Sequence, residues 1–171
     1  MAGKTGVAAA LEPFFSAARR LILALALVSG AAVLVMIGVT AVDVILRIFR
    51  SGLYGAYDII RMSGAVAVSC ALPYVTAVKG HIAIEFFYQK FSRPGRVLLD
   101  TIFRLLTLGV FGFLVVRSVM YALELRASGQ VMQTLKVPIF WIPLLTGLMF
   151  ILVLVVTTYH ILHPGKEMIR P

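Results

Sequence analysis

The feature that most constrains this chain is an apolar run from Leu21 to Val42 that contains no charged residue. A helix needs about 20 mostly apolar residues to cross about 30 Å of hydrocarbon, and this run meets that length. A shorter apolar run from Met62 to Val78 follows it. A third run, between Val97 and Leu123, is interrupted by Asp100, Arg104 and Arg117, and a last run extends from Val137 to Leu162. The sequence therefore predicts an all-α integral membrane protein, a single membrane domain over 1–171 with four transmembrane helices at about 21–46, 57–78, 97–123 and 137–162.

The composition agrees with a membrane protein and disagrees with a soluble one. Hydrophobic residues make up 61% of the chain and charged residues 13%, whereas soluble domains average about 45–50% apolar and about 25% charged residues. The net charge is +9, but the cations flank apolar runs and do not form a patch on a soluble face. This placement favours contact with lipid headgroups and argues against nucleic acid as a partner. Cys70 is the only cysteine, which excludes an intrachain disulfide.

The distribution of positive charge predicts the orientation. Lys and Arg are more numerous in the N-terminal segment, the second loop and the C-terminal tail than in the first and third loops. Positively charged loops remain in the cytoplasm, so both termini are predicted to be cytoplasmic. Residues 82–92 place aromatic side chains four residues apart and are predicted to form a short helix along the headgroups. Residues 43–52 are predicted to bend along the opposite surface.

Few ionisable residues fall inside the predicted spans. Asp100 and Arg104 are four residues apart, so a helix would bring them together as an intramembrane charge pair. A proton or ion path is the alternative interpretation, but no other span offers an acidic partner at depth. His81 falls in a loop, and His160 lies near the end of the last span, whereas an axial haem pair requires histidines inside the membrane.

The known sequence patterns for catalysis and for solute binding are missing. The chain contains no phosphate-binding loop, no Ser-His-Asp arrangement and no histidines at metal-ligand spacing. Transporters that hold a solute themselves use helices interrupted in corresponding halves. Pro73 interrupts only the second span. We therefore expect no enzymatic activity, no cofactor and no solute site on this chain.

Small residues form a stripe on the second predicted span. Ser63, Ala67 and Ala71 recur every four residues, so they share one helix face. Small side chains allow helix backbones to approach closely. This matters in lipid, where no hydrophobic force drives helices together. The stripe is a candidate subunit interface, although packing inside the chain would use it equally well.

Four short motifs occur in order along the chain. They lie at the end of the first span, before the second span, after the second span and at the start of the fourth span. Their residues are Asp43 and Arg47 in Asp43-Val-Ile-Leu-Arg47; Asp58 and Arg61 in Tyr57-Asp58-Ile-Ile-Arg61; Gly80, His81 and Glu85 in Gly80-His81-Ile-Ala-Ile-Glu85; and Pro138, Trp141, Pro143 and Gly147.

In this order the motifs resemble those of the small membrane subunit of TRAP (tripartite ATP-independent periplasmic) transporters, the DctQ-like family. The resemblance extends over roughly residues 20–160. Tyr57 and Asp58 depart from the pattern, since the family usually has Trp and Glu at these places.

The resemblance implies a small, non-catalytic scaffold subunit of a sodium-coupled symporter that takes up organic acids across the bacterial inner membrane. The implied partners are a large permease subunit, which would hold the solute and sodium sites, and a periplasmic substrate-binding protein. Two other functions remain open from the residues alone. One is a membrane anchor of a redox enzyme that carries haem or quinone, and the other is a small autonomous transporter using Asp100 and Arg104.

Overall fold

The computed structural model describes the backbone of residues 6–78 and 93–162, and the side chains of residues 15–78 and 102–161. All four long helices in these ranges are long and apolar enough to cross a membrane. The predicted fold class, an all-α chain with four transmembrane helices, is therefore confirmed. The helices are α1 (Gly6–Ile48), α2 (Ala56–Ala77), α3 (Arg93–Ala127) and α4 (Trp141–Leu162).

Three helices begin or end away from the expected limits. Helices α1 and α3 extend beyond 21–46 and 97–123, because a helix satisfies its own backbone hydrogen bonds and need not end at the hydrocarbon boundary. Helix α1 also continues through Asp43 to Ile48, so the predicted bend at 43–52 starts only after that residue. Helix α4 begins at Trp141, later than 137, because Pro138 pairs with Val131 in an antiparallel bridge before the helix.

The helices lie in a row in the order α1, α2, α4, α3. Helix α1 packs on α2, α2 packs on α4, and α4 packs on α3, whereas α1 touches α4 only slightly. In the most apolar part of each helix, 28% of the residues of α2 and of α4 are buried, against 6% in α1 and 0% in α3. The two outer helices of the row therefore present most of their surface outside the chain.

Hydroxyl groups join neighbouring helices of the row. Ser29 Oγ on α1 donates to the carbonyl of Ala67 on α2 at 2.7 Å. Ser69 Oγ on α2 lies 2.9 Å from Thr146 Oγ1 on α4. Such bonds hold neighbouring membrane helices together and fix their relative rotation.

The end of the bundle at which α1 begins and α4 ends, here called the terminal end, has a small apolar core. Phe15 and Ile22 of α1, Ala77 of α2 and Val156 of α4 are all buried in it. The rings of Phe15 and Tyr159 meet edge to face with centroids 4.9 Å apart. This core fixes the first half of α1 against the ends of α2 and α4.

Helix α3 is fixed to α4 by an arginine. The guanidinium of Arg104 donates from Nη1 to the backbone carbonyl of His160. His160 lies in the last turn of α4, where carbonyl groups have no partner within the helix. Arg104 therefore acts as a side-chain cap for a neighbouring helix. Asp100 lies on α3 with its side chain outside the described part, so its pairing with Arg104 stays a prediction.

Candidate functional site

Two loops meet at the opposite end of the bundle, here called the loop end. The α1–α2 loop covers residues 49–55, and the hairpin loop between α3 and α4 covers residues 128–140. In the hairpin loop the amide of Met132 donates to the carbonyl of Val137 at 2.9 Å. The Met132 side chain is only 1% exposed. The hairpin loop is thus an ordered, packed element.

A buried aspartate connects α2 to the hairpin loop. Asp58, in the first turn of α2, is 2% exposed. Its Oδ2 accepts hydrogen bonds from the backbone amides of Thr134 and Leu135, each at 2.8 Å. Hydrogen bonds to an ionised acceptor are roughly twice as strong as neutral ones. The negative charge also lies near the positive end of the α2 dipole. Asp58 therefore fastens two elements that are far apart in sequence.

Gly55 allows the hairpin loop to approach α2 closely. It precedes the helix with φ of 81°, a left-handed conformation, and a Cβ at this position would lie 2.7 Å from Leu135 Cδ2. The hydroxyl of Tyr54 donates to the carbonyl of Thr134 at 3.0 Å. Together with Asp58, these residues form what we call the loop-end cluster, which consists of Tyr54, Gly55, Asp58, Thr134 and Leu135.

A second aspartate closes the α1–α2 loop. Asp43 Oδ1 accepts a hydrogen bond from the backbone amide of Leu53 at 2.9 Å. Its Oδ2 forms an ion pair with Arg47 Nε at 2.8 Å, one helical turn further along α1. Because the Arg47 side chain is 70% exposed, we assign the main structural role to the bond with Leu53, which holds the loop against the end of α1.

The small-residue stripe lies partly inside the chain. Ala67 is buried, and its carbonyl receives the Ser29 hydroxyl at 2.7 Å. Ser63 and Ala71 are half-buried. The centre of the stripe therefore packs against α1 and is not a free docking face.

The fourth motif is divided between the hairpin loop and α4. Pro138 is exposed in the hairpin loop, whereas Trp141 and Pro143 are half-buried in the first turn of α4. Gly147 is buried, and a Cβ at this position would lie 3.2 Å from the Cβ of Ser118 on α3. Gly147 thus allows close contact between α3 and α4.

The remaining motif residues lie partly inside and partly outside the described part of the chain. Arg61 is exposed on α2, about one helical turn after Asp58, and its charge interacts with the Asp58 carboxylate. Gly80, His81 and Glu85, together with the amphipathic segment at 82–92, lie outside the described residues. Within the described residues, no group of three His, Cys, Asp or Glu side chains is arranged to hold a metal ion.

Sequence reasoning missed the partners of the motif residues. Thr134 and Leu135 act through their backbone amides, so no side-chain pattern indicates them. Ser69 and Thr146 each occupy an apolar span, and a hydroxyl there signals a hydrogen bond without naming its partner. Ser29 is a similar case.

Replacing Gly55 by alanine should destabilise the chain by about 1–3 kcal/mol, because the new Cβ requires a left-handed backbone and displaces the Leu135 side chain. The free energy of unfolding in mixed micelles measures this. Gly30→Ala is the control, since a Cβ there meets nothing within 4 Å. Equal stability of the two variants would show that the approach of Leu135 to Gly55 contributes nothing.

A family model described as "Tripartite ATP-independent periplasmic transporters, DctQ component" matches residues 36–164. The match includes the whole of α2, α3 and α4 and the last part of α1. None of the curated proteins and none of the solved structures gives a significant match.

Proposed function

Since this chain belongs to the DctQ component family of tripartite ATP-independent periplasmic transporters, we propose that it is the scaffold subunit of a sodium-coupled symporter for organic acids. Its partners are the large permease subunit, which would hold the solute and sodium sites, and a periplasmic substrate-binding protein. The chain itself would brace the permease without catalysing a reaction or binding the solute.

The main support for this proposal is that polar side chains of the helices bind groups of their own chain. Asp43 and Asp58 bind loop amides of their own chain, and Ser69 binds Thr146. Each of the four described helices is also continuous, unlike the broken helices that form solute sites in transporters. These features support a rigid role for this chain in the transporter more than a moving role.

The proposed location is the bacterial inner membrane, with both termini in the cytoplasm. In that orientation the loop end faces the periplasm, where the substrate-binding protein moves. The loop-end cluster would then give the binding protein a preformed surface, because Asp58 and Gly55 fix the shape of the hairpin loop.

The stripe of Ser63, Ala67 and Ala71 is a weaker candidate for docking than its spacing suggested. Leucine at Ala67 would first separate α2 from α1, because Ala67 is buried between them. Loss of the large subunit from such a variant would not identify a docking surface. An outer helix of the row is a better candidate, because it presents most of its surface outside the chain.

The alternative of a redox-enzyme anchor gains no support from the family match. A purified complex with a Soret band would revive it, since haem absorbs strongly there.

Reconstitution tests the proposed function directly. Proteoliposomes that contain this chain, the large subunit and the binding protein should accumulate an organic acid only when a sodium gradient is present. Omitting this chain should abolish most of the uptake, because the large subunit would lose its brace. Uptake by this chain alone, or undiminished uptake without it, would contradict the scaffold role.

A further inference from the structure

The face of α3 that points away from α4 carries a cation among apolar side chains. Ile102, Leu106, Phe113 and Met120 are exposed along it. Their spacing of four, seven and seven residues places them in one stripe of the helix. Arg117 is also exposed, four residues after Phe113 on the same face.

Arg104 and Arg117 of α3 have different surroundings. Arg104 points toward α4, where it donates to the carbonyl of His160. Arg117 lies on the other side and has no ion pair or hydrogen bond to any residue that the structure describes. Glu124 shares its face, but seven residues of helix separate the two by about 10 Å along the axis. The partner of Arg117 must therefore come from outside the described chain.

Arg117 lies below the membrane surface at the loop end. Its neighbour Ser118 is level with Gly147, because a Cβ on Gly147 would lie 3.2 Å from Ser118 Cβ. Gly147 follows Trp141 by six residues, or about 9 Å of helix. Tryptophan at the start of a membrane helix is typical of the interface. Arg117 is thus about 9 Å deeper in the membrane than the interface that Trp141 marks.

The direction of α3 makes a lipid headgroup a poor partner. The bond from Cα to Cβ tilts toward the N-terminus of a helix. Helix α3 runs from the terminal end to the loop end, so the side chain of Arg117 leaves the backbone toward the middle of the membrane. Arginine in such a position is rare in contact with lipid and usually faces protein.

We propose that Arg117 anchors the docking face for the large permease subunit and binds a carboxylate or free backbone carbonyls of that subunit within the membrane. This inference rests on the proposed function. The exposed face of α1 provides the contrast, since Leu27 and Leu34 lie on it and no charge occurs from Leu21 to Val42. That face suits lipid, so the permease covers α3 and lipid covers α1.

Substitution of Arg117 tests the anchor. Arg117→Leu should reduce the large subunit that co-purifies with this chain by about tenfold or more, because a buried acceptor loses its only cation. Arg117→Lys should retain part of the binding. Arg61→Leu is the matched control, since it removes an exposed cation from α2, and it should leave the complex intact. The Arg117→Leu chain alone should be at least as stable as the wild type, because a charge leaves the hydrocarbon.

A photocrosslinking amino acid gives a second measurement that leaves Arg117 in place. In place of Phe113 it should crosslink to the large subunit, and in place of Leu34 it should crosslink to lipid. Lipid adducts alone from position 113, or an intact complex with Arg117→Leu, would overturn the inference while leaving the proposed function in place. Failure of the wild-type chain to co-purify with any large subunit would overturn the proposed function itself.

Discussion

Replacing Asp58 by alanine should release the hairpin loop from α2 and lower the free energy of unfolding by about 2–4 kcal/mol. The carboxylate is 2% exposed and accepts the amides of Thr134 and Leu135, each at 2.8 Å. Alanine removes the acceptor and leaves two donors without it in a packed region. Unfolding in mixed micelles should show the loss of stability, and hydrogen exchange at the amides of Thr134 and Leu135 should become faster.

Two further variants show whether this effect belongs to the buried carboxylate. Asp58→Asn keeps one acceptor oxygen but loses the charge, so its effect should be smaller, at about 1–2 kcal/mol. Glu124→Ala removes an exposed acid from α3 and should change stability by less than about 0.5 kcal/mol. If Asp58→Ala behaved like Glu124→Ala, the hairpin loop would not depend on Asp58.

Leucine in place of Gly147 should separate α3 from α4 at a cost of about 1–3 kcal/mol or more. A Cβ at this position already lies 3.2 Å from Ser118 Cβ and 3.9 Å from the Val115 carbonyl oxygen. These atoms belong to the body of α3 and cannot turn aside as the end of a long side chain can. Since α3 packs extensively only on α4, it has no second neighbour in the described chain to hold it in the row.

The separation of α3 from α4 can be measured by crosslinking. The rings of Phe111 and Phe150 lie with centroids 5.3 Å apart, so in the double variant Phe111→Cys and Phe150→Cys a short bifunctional thiol reagent should join the otherwise unchanged helix pair. Gly147→Leu should suppress that crosslink. Gly38→Leu on α1 is the control, because a Cβ there meets nothing within 4 Å. Equal crosslinking in both backgrounds would show that α3 and α4 tolerate the added volume.

We propose that the two outer helices of the row, α1 and α3, have different roles. Helix α1 meets lipid with an uncharged face, and α3 meets the permease through Arg117. The inner helices α2 and α4 hold the row together through Ser69 and Thr146, which lie 2.9 Å apart.

The sequence determined the features that depend on local composition. Long runs without charge, such as Leu21 to Val42, leave helices as the structure that satisfies every backbone group within lipid. The order of the motifs also identified the family, because each motif can be read from neighbouring residues. The fold class and the family assignment needed no knowledge of which helix touches which.

Only the tertiary structure decided which residues meet. Asp58 binds Thr134 across 76 positions of sequence, and no local pattern contains that pairing. Ala67 lies inside the chain. Arg104 lies on the side of α3 that packs on α4, whereas Arg117 lies on the exposed side. In a membrane, apolar side chains suit lipid and protein neighbours alike. Hydropathy therefore determines that these helices span the membrane, whereas packing and hydrogen bonds determine which faces remain free for a partner.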